Sequence, residues 1–378
     1  MSRIAVLGSG AWGTAIALAL HRRGGHHVSL WSHSKEEAGQ ISADGENILL
    51  LPGFPLPSEI AITADGAAVT DAEIVVSVIP SGFLRSTLAR LRPHFRSGQI
   101  VVSATKGVEN DSFLRMTEVI ASTLAATGIE PRLSRIPVAN PDIELEVFSE
   151  RTAPQVSSSG IELAPRDLDE LTLPIGAFSG PSFALEVAQG QPTAVTVAFE
   201  DPAIAERIQH EFSSETLRLY SSTDVIGVEL GGALKNVIAI AAGVAAGMGL
   251  GHNSAAALMT RGIAEITRLA VACGGRRETL AGLSGVGDLV LTCTGSLSRN
   301  RTVGQALGQG RNLPEILESL GGKVAEGVLT TRAALGLARS HGIEMPITEQ
   351  MELILDEGKD PREAIKHLML RPGKHEQH

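Results

Sequence analysis

Cysteine is scarce. The 378 residues hold two, Cys273 and Cys293, too few for a disulfide framework and not set as Cys-x-x-Cys, so buried thiols in a reducing compartment are expected. A positive charge balance is also missing: 32 Lys and Arg stand against 42 Asp and Glu, a formal net charge of -10. Broad nucleic-acid binding, which needs cations to displace phosphate counterions, is thereby disfavoured, and a local basic site for a small anion is what remains open. No metal is expected, because His21, His26 and His27 cluster around a glycine turn with no acid or thiol in step with them. The apolar stretch Val237 to Gly251 is only about 15 residues long and is bracketed by Lys235 and His252, so no membrane span is expected from it. The apolar start of the chain, up to Leu20, is interrupted by glycines and followed by His21-Arg22-Arg23 rather than a small-residue cleavage site. A soluble, cytoplasmic protein is the expectation.

What is present is enough for a large core: 43% hydrophobic residues against 20% charged. The length points to two domains. Unbroken apolar runs at Ile4–Leu7, Val28–Trp31, Ile74–Val78 and Ile100–Ala104 read as buried parallel strands, with Val195–Phe199 as a later strand of the same sheet. The first is followed by a helix over Thr14–Arg23, ended by Gly24-Gly25. Such alternation predicts an α/β fold, a doubly wound sheet over residues 1–223. From Asp224 the pattern turns helical, with Ala255–Cys273, Val303–Leu307, Leu313–Leu320, Gly327–His341 and Ile347–Leu355 punctuated by glycine and proline; residues 224–378 are expected to form an all-helical domain. Residues 131–173 are proline-bearing, acidic and longer than a crossover needs, which reads as an inserted surface segment, with a lid or partner-binding role as the alternative.

The chemistry starts at Gly8-Ser9-Gly10-Ala11-Trp12-Gly13, a Gly-x-Gly-x-x-Gly turn between the first strand and its helix. In that setting the glycines allow a tight turn, close backbone approach to a pyrophosphate and close helix packing, and the helix N-terminus offers free amides. A bound dinucleotide is therefore expected. The end of the second strand reads Trp31-Ser32-His33-Ser34-Lys35, with no acid before Glu36. Without a carboxylate to repel it, a 2′-phosphate would be tolerated beside His33 and Lys35, favouring NADP or dual use over strict NAD; a merely solvated strand end is the alternative. Val78-Ile79-Pro80-Ser81 and Ala104-Thr105-Lys106-Gly107 fall at the carboxyl edge of the sheet, where ligands bind. Ser179-Gly180-Pro181-Ser182 suits an oxyanion or is simply a turn. Lys235, at the head of a tightly packed small-residue segment, can exchange a proton at a carbonyl. Asp288 would hold that amine if the two are close, or else cap a helix. Arg299 could fork onto a phosphate.

With these motifs assembled, the chain resembles the bacterial NAD(P)-dependent glycerol-3-phosphate dehydrogenases over nearly its whole length. Besides the motifs above, Leu51-Pro52-Gly53, Gly232-Ala233-Leu234-Lys235-Asn236-Val237, Thr260-Arg261-Gly262, Gly287-Asp288-Leu289, Ser298-Arg299-Asn300-Arg301 and Val324-Ala325-Glu326-Gly327 carry the likeness. The resemblance implies a Rossmann-type N-terminal domain, a helical substrate domain, and reduction of dihydroxyacetone phosphate to sn-glycerol 3-phosphate for phospholipid synthesis. It implies Lys235 as the proton-exchanging residue, and Lys106, Gly180, Ser182, Lys235, Asp288, Ser298, Arg299 and Asn300 as substrate contacts. It implies Gly8, Gly10, Ala11, Trp12, Gly13, His33, Lys106, Ala184, Arg299, Val324 and Glu326 around NADP or NAD. Two departures stand out: the 131–173 insertion, expected to leave the site untouched, and Ala245-Ala246 where the family commonly has a polar-acidic pair. A homodimer is plausible from the small-residue helices. The rival enzyme, a 3-hydroxyacid or 6-phosphogluconate-type dehydrogenase, is disfavoured by Ser298-Arg299-Asn300 and Ser179-Gly180-Pro181-Ser182. A redox-sensing binding protein has no need of Lys106, Lys235 and Asp288 together.

Overall fold

The computed structural model describes residues 1–125, 172–319, 325–373 and 375. The 131–173 insertion therefore lies outside the described residues except for its last two, and so does Val324.

Eight strands form one sheet: β1 (Ser2–Leu7), β2 (His26–Trp31), β3 (Ala61–Thr63), β4 (Ile74–Ser77), β5 (Ile100–Ser103), β6 (Ile175–Ser179), β7 (Thr193–Ala198) and β8 (Leu217–Ser222). Their order is β3-β2-β1-β4-β5-β6-β7-β8. Neighbours run parallel except β6 and β7, which pair antiparallel, so the last two strands point the other way. The five runs read from sequence all fall on strands. Three strands escaped that reading: the short β3 and the half-exposed β8, neither of which carries a continuous apolar run, and β6, whose Ile175-Gly176-Ala177-Phe178-Ser179 is broken by a glycine. Order reverses between β1 and β4, which opens a crevice at their carboxyl ends, the usual ligand position in an open α/β sheet. Apolar side chains from the strands and from helix Ala11–Arg23 fill one face of the sheet, and Leu84, Leu88, Val119 and Ile120 help to fill the other.

Beyond Ser222 the described residues contain helices and no strand. Asp224 caps the central helix Val225–Gly247 by accepting from the Gly227 amide at 2.9 Å. This corrects two sequence expectations. The helix starts twelve residues before Val237, so Lys235 sits in its middle rather than at its head. At 23 residues it is also long and apolar enough to cross a membrane, with 89% of its most apolar window buried inside the protein. Its small residues meet helix Arg299–Gly308 at backbone distance: a methyl group on Gly304 would overlap the Ile240 carbonyl, and one on Gly243 the Arg301 carbonyl. The small residues that suggested a dimer surface are thus largely used within the chain. Helix Pro361–Met369, unforeseen in the sequence, adds an amphipathic turn at the end.

A buried ionic network ties the two halves. Glu229, on the central helix, accepts from Arg115 Nη1 at 2.6 Å, from the Thr117 amide at 2.8 Å and from the Thr117 hydroxyl at 2.7 Å. Burial raises its pKa while Arg115 and Thr117 oppose the shift. Glu229→Ala leaves the largely buried Arg115 with Glu118 as its remaining carboxylate, at 2.8 Å, and orphans the Thr117 amide, and should cost about 3 kcal/mol. A urea midpoint within error of wild type would show that this network does not join the halves.

Candidate active site

The crevice is lined first by the glycine turn. Gly8 has φ +119, and a side chain there would press on the Val78 carbonyl at 3.0 Å; a methyl group on Gly13 would overlap the Gly8 carbonyl. Only glycine lets strand, turn and helix approach this closely. Helix Ala11–Arg23 begins at Gly10 with no side chain capping it, and space around Gly10 is open, so its first amides face the crevice unpaired. These features fit a dinucleotide pyrophosphate. Asn47 braces the turn through Ser9 O at 2.7 Å and Thr14 Oγ1 at 2.9 Å. Trp12 packs on Phe178 with ring centroids 6.2 Å apart, and Ala184 opens the short helix after β6. At the end of β2, His33 is exposed and its Nδ1 lies 3.2 Å from Glu37 Oε2.

Deeper in the crevice two lysines meet on one carboxylate. Lys235 Nζ lies 2.6 Å from Asp288 Oδ1, and Lys106 Nζ, from the loop after β5, lies 2.7 Å from Asp288 Oδ2. Asp288 is 1% exposed and is the first residue of helix Asp288–Thr294, so both readings of it meet in one residue: it holds the amine and starts a helix. Lys235 also donates to Thr292 Oγ1 at 2.6 Å, while that hydroxyl donates to the Asp288 carbonyl at 2.6 Å. The ammonium has three protons, and these two acceptors take two of them. Burial pushes the Lys235 pKa down to about 8; Asp288 opposes that fall and the Lys106 charge adds to it. The amine thus titrates near neutrality, as a proton-exchanging group should. The arrangement of two cations on one anion leaves a net positive pocket for an anionic substrate.

Around this pair, Lys106 Nζ also donates to Gly180 O at 3.3 Å, and Ser182 Oγ donates to the same carbonyl at 3.0 Å. Gly180 therefore presents an acceptor, a carbonyl that orients Lys106, rather than an oxyanion cradle at that atom. Ser298 caps helix Arg299–Gly308 by accepting from the Arg301 amide at 3.2 Å. Asn300 Oδ1 accepts from the Gly327 amide at 2.9 Å and so joins that helix to Glu326–Ser340. Arg299, at the helix start, is exposed overall, yet packing around its guanidinium lowers its pKa, with Glu326 opposing. Glu326 receives the Ser81 hydroxyl at 2.7 Å, a bond between the β4 loop and the helical half, and its pKa is raised by burial.

The structure brings Lys106, Gly180, Ser182, Lys235 and Asp288 into one hydrogen-bonded cluster, and Ser298, Arg299, Asn300 and Glu326 into a second group at the start of helix Arg299–Gly308. Sequence reasoning missed Thr292, although four residues after Asp288 is one turn along the same helix face. Ser81 stood in a quoted motif without a role, and Glu37 was passed over.

Comparison with known proteins follows the same outline. A family model described as "NAD-dependent glycerol-3-phosphate dehydrogenase N-terminus" matches residues 3–132 and 159–205, and its C-terminus counterpart matches residues 224–366. The chain is 53% identical over 380 residues to glycerol-3-phosphate dehydrogenase [NAD(P)+] of Acidobacterium capsulatum, covering all of both chains. To the like-named protein of Koribacter versatilis it is 51% identical, covering 99% of this chain and 98% of the relative. A crystal structure of glycerol-3-phosphate dehydrogenase from Coxiella burnetii superposes with a TM-score of 0.82 at 34% identity, covering 98% of this chain and 99% of that one.

Proposed function

Because the chain belongs to the NAD-dependent glycerol-3-phosphate dehydrogenase family, we propose a division of labour among its own residues. The protein is an oxidoreductase that interconverts dihydroxyacetone phosphate and sn-glycerol 3-phosphate with NAD or NADP. When bound, the nicotinamide supplies the hydride that reaches the carbonyl carbon. Lys235 gives the carbonyl oxygen its proton as the alkoxide forms, and takes it back in the reverse reaction. Asp288 and Thr292 hold the amine by two of its three protons, leaving the third for the substrate oxygen. Lys106, positioned by Asp288 and Gly180 O, adds positive charge beside that oxygen. The Lys235–Asp288–Lys106 cluster is the observation that carries this reading.

In this reading Arg299 and the amide of Asn300 take the phosphate, which lies away from the reacting carbon, so its binding energy serves orientation. Arg299→Lys keeps the charge but loses the two-pronged contact. At about 1.5–3 kcal/mol for a hydrogen bond to a charged group, kcat/KM for dihydroxyacetone phosphate should fall roughly 10- to 100-fold. Unphosphorylated dihydroxyacetone should be affected far less; equal losses for both would assign Arg299 to the fold or the cofactor.

Ser182, Ser298 and Glu326 complete the proposed contacts, with Gly8, Gly10, Ala11, Trp12, Gly13, His33 and Ala184 around the dinucleotide. Glycerol 3-phosphate made here would feed glycerophospholipid synthesis in the cytoplasm. A homodimer, built on the exposed Ala256 and Ala257 of helix His252–Ala272, completes the proposal; sedimentation as a monomer would end that part. The decisive assay mixes the protein with NADH or NADPH and dihydroxyacetone phosphate and follows nicotinamide absorbance. Turnover of a 3-hydroxyacid or 6-phosphogluconate in its place would overturn the assignment.

A further inference from the structure

Along the sequence, the place where an acid would meet a cofactor ribose is filled by Ser32 and His33. Folding fills it differently. Ser34 caps helix Lys35–Asp44 by accepting from the Glu37 amide, and the first turn of that helix returns Glu37 to the end of β2. There Glu37 Oε2 accepts from Ser32 Oγ at 2.5 Å and lies 3.2 Å from His33 Nδ1. Glu36 goes elsewhere, accepting from the exposed Ser34 hydroxyl at 2.7 Å. Both contacts to Glu37 gather on one oxygen; Oε1 has no hydrogen-bond partner among the described residues, and the side chain is 26% exposed. The glycine turn is adjacent, since Gly8 N donates to Trp31 O at 2.9 Å.

We infer that Glu37 decides between the two nicotinamide dinucleotides, accepting hydrogen bonds from a free 2′-hydroxyl and repelling a 2′-phosphate, so that the enzyme prefers NADH. A carboxylate at the end of the second strand is the group that reads a ribose in this architecture. Ser32 and His33 are positioning residues: by engaging Oε2 they fix the carboxylate at the end of β2 and leave Oε1 to accept from a ribose. Lys35, the one lysine in this segment, stands at the start of the same helix and does not replace the carboxylate. The inference rests on dinucleotide binding at the glycine turn, as in the proposed function, and deepens it by naming which dinucleotide.

The test is the ratio of NADPH to NADH dissociation constants, measured by nucleotide fluorescence on the full chain without substrate. Wild type should bind NADH more tightly. Glu37→Gln and Glu37→Ala should each narrow that ratio by roughly 10- to 100-fold, the factor expected for one charge-assisted hydrogen bond and its matching repulsion. Glu36→Gln should leave it unchanged. An unaltered ratio in both Glu37 variants, or tighter NADPH binding by wild type, overturns the inference. Normal NADH preference without turnover of dihydroxyacetone phosphate would support it while sinking the proposed reaction; failure to bind either dinucleotide would overturn both.

Discussion

Lys235→Ala should lower kcat for dihydroxyacetone phosphate by about 10²–10⁴-fold, the span typical of losing a positioned general acid, while the dissociation constant for the dinucleotide stays near its wild-type value. The separation follows from geometry. Lys235 is bonded to Asp288 and Thr292 on the helical half, whereas the proposed cofactor contacts lie at the glycine turn and the end of β2. A water in the space left by alanine would lack the ammonium's charge and its pKa near 8, so it would be a far weaker acid towards the alkoxide. Wild type should also lose reductive activity as pH rises through about 8, where the Lys235 ammonium loses its proton. The oxidative direction needs the neutral amine and should gain over the same range. Wild-type-like kcat in the alanine variant would end the assignment.

Asp288→Asn should be nearly as damaging, for an electrostatic reason. The carboxylate is shared, so its neutralisation leaves two ammonium groups facing each other without the anion between them. Lys235 is already depressed by burial, and Asp288 is the largest influence opposing that fall. Removing an opposite charge at contact distance typically moves a pKa by about one to three units, so the alkaline limb of the reductive pH profile should move to lower pH by that order. Mutual repulsion would also misplace Lys106. A profile whose limb stays where wild type has it would show that Asp288 serves the fold and not the proton donor. Asp288→Glu, which keeps the charge and changes the reach, should retain the limb but lose rate.

Much of the site was legible in the sequence because its local requirements are strict. The Gly8-Gly10-Gly13 spacing is readable because Gly8 and Gly13 answer backbone contacts that any side chain would break, while Gly10 leaves open space at the helix start. Buried parallel strands read as plain apolar runs because both of their faces are covered. The shift from strand to helix patterning at Asp224 was visible because Asp224 is itself a helix cap. Thr292 was harder: its spacing from Asp288 is a helical signal, yet nothing before folding said that this helix would face Lys235.

By itself, then, the sequence determined the class of fold and the dinucleotide turn, and it singled out Lys235 as the candidate for proton exchange, since each depends on residues that are neighbours in the chain or a helix turn apart. The tertiary structure alone decided that Lys106 and Lys235, separated by more than a hundred residues, share one carboxylate. It also placed Lys235 in the interior of its helix, inverted β7 and β8 against the rest of the sheet, and returned Glu37 to the end of β2. Those outcomes rest on which surfaces pack together. Packing is set by the fit of whole elements, helix Val225–Gly247 against Arg299–Gly308 above all, and a linear pattern does not encode which buried charge will find which partner until that fit is made.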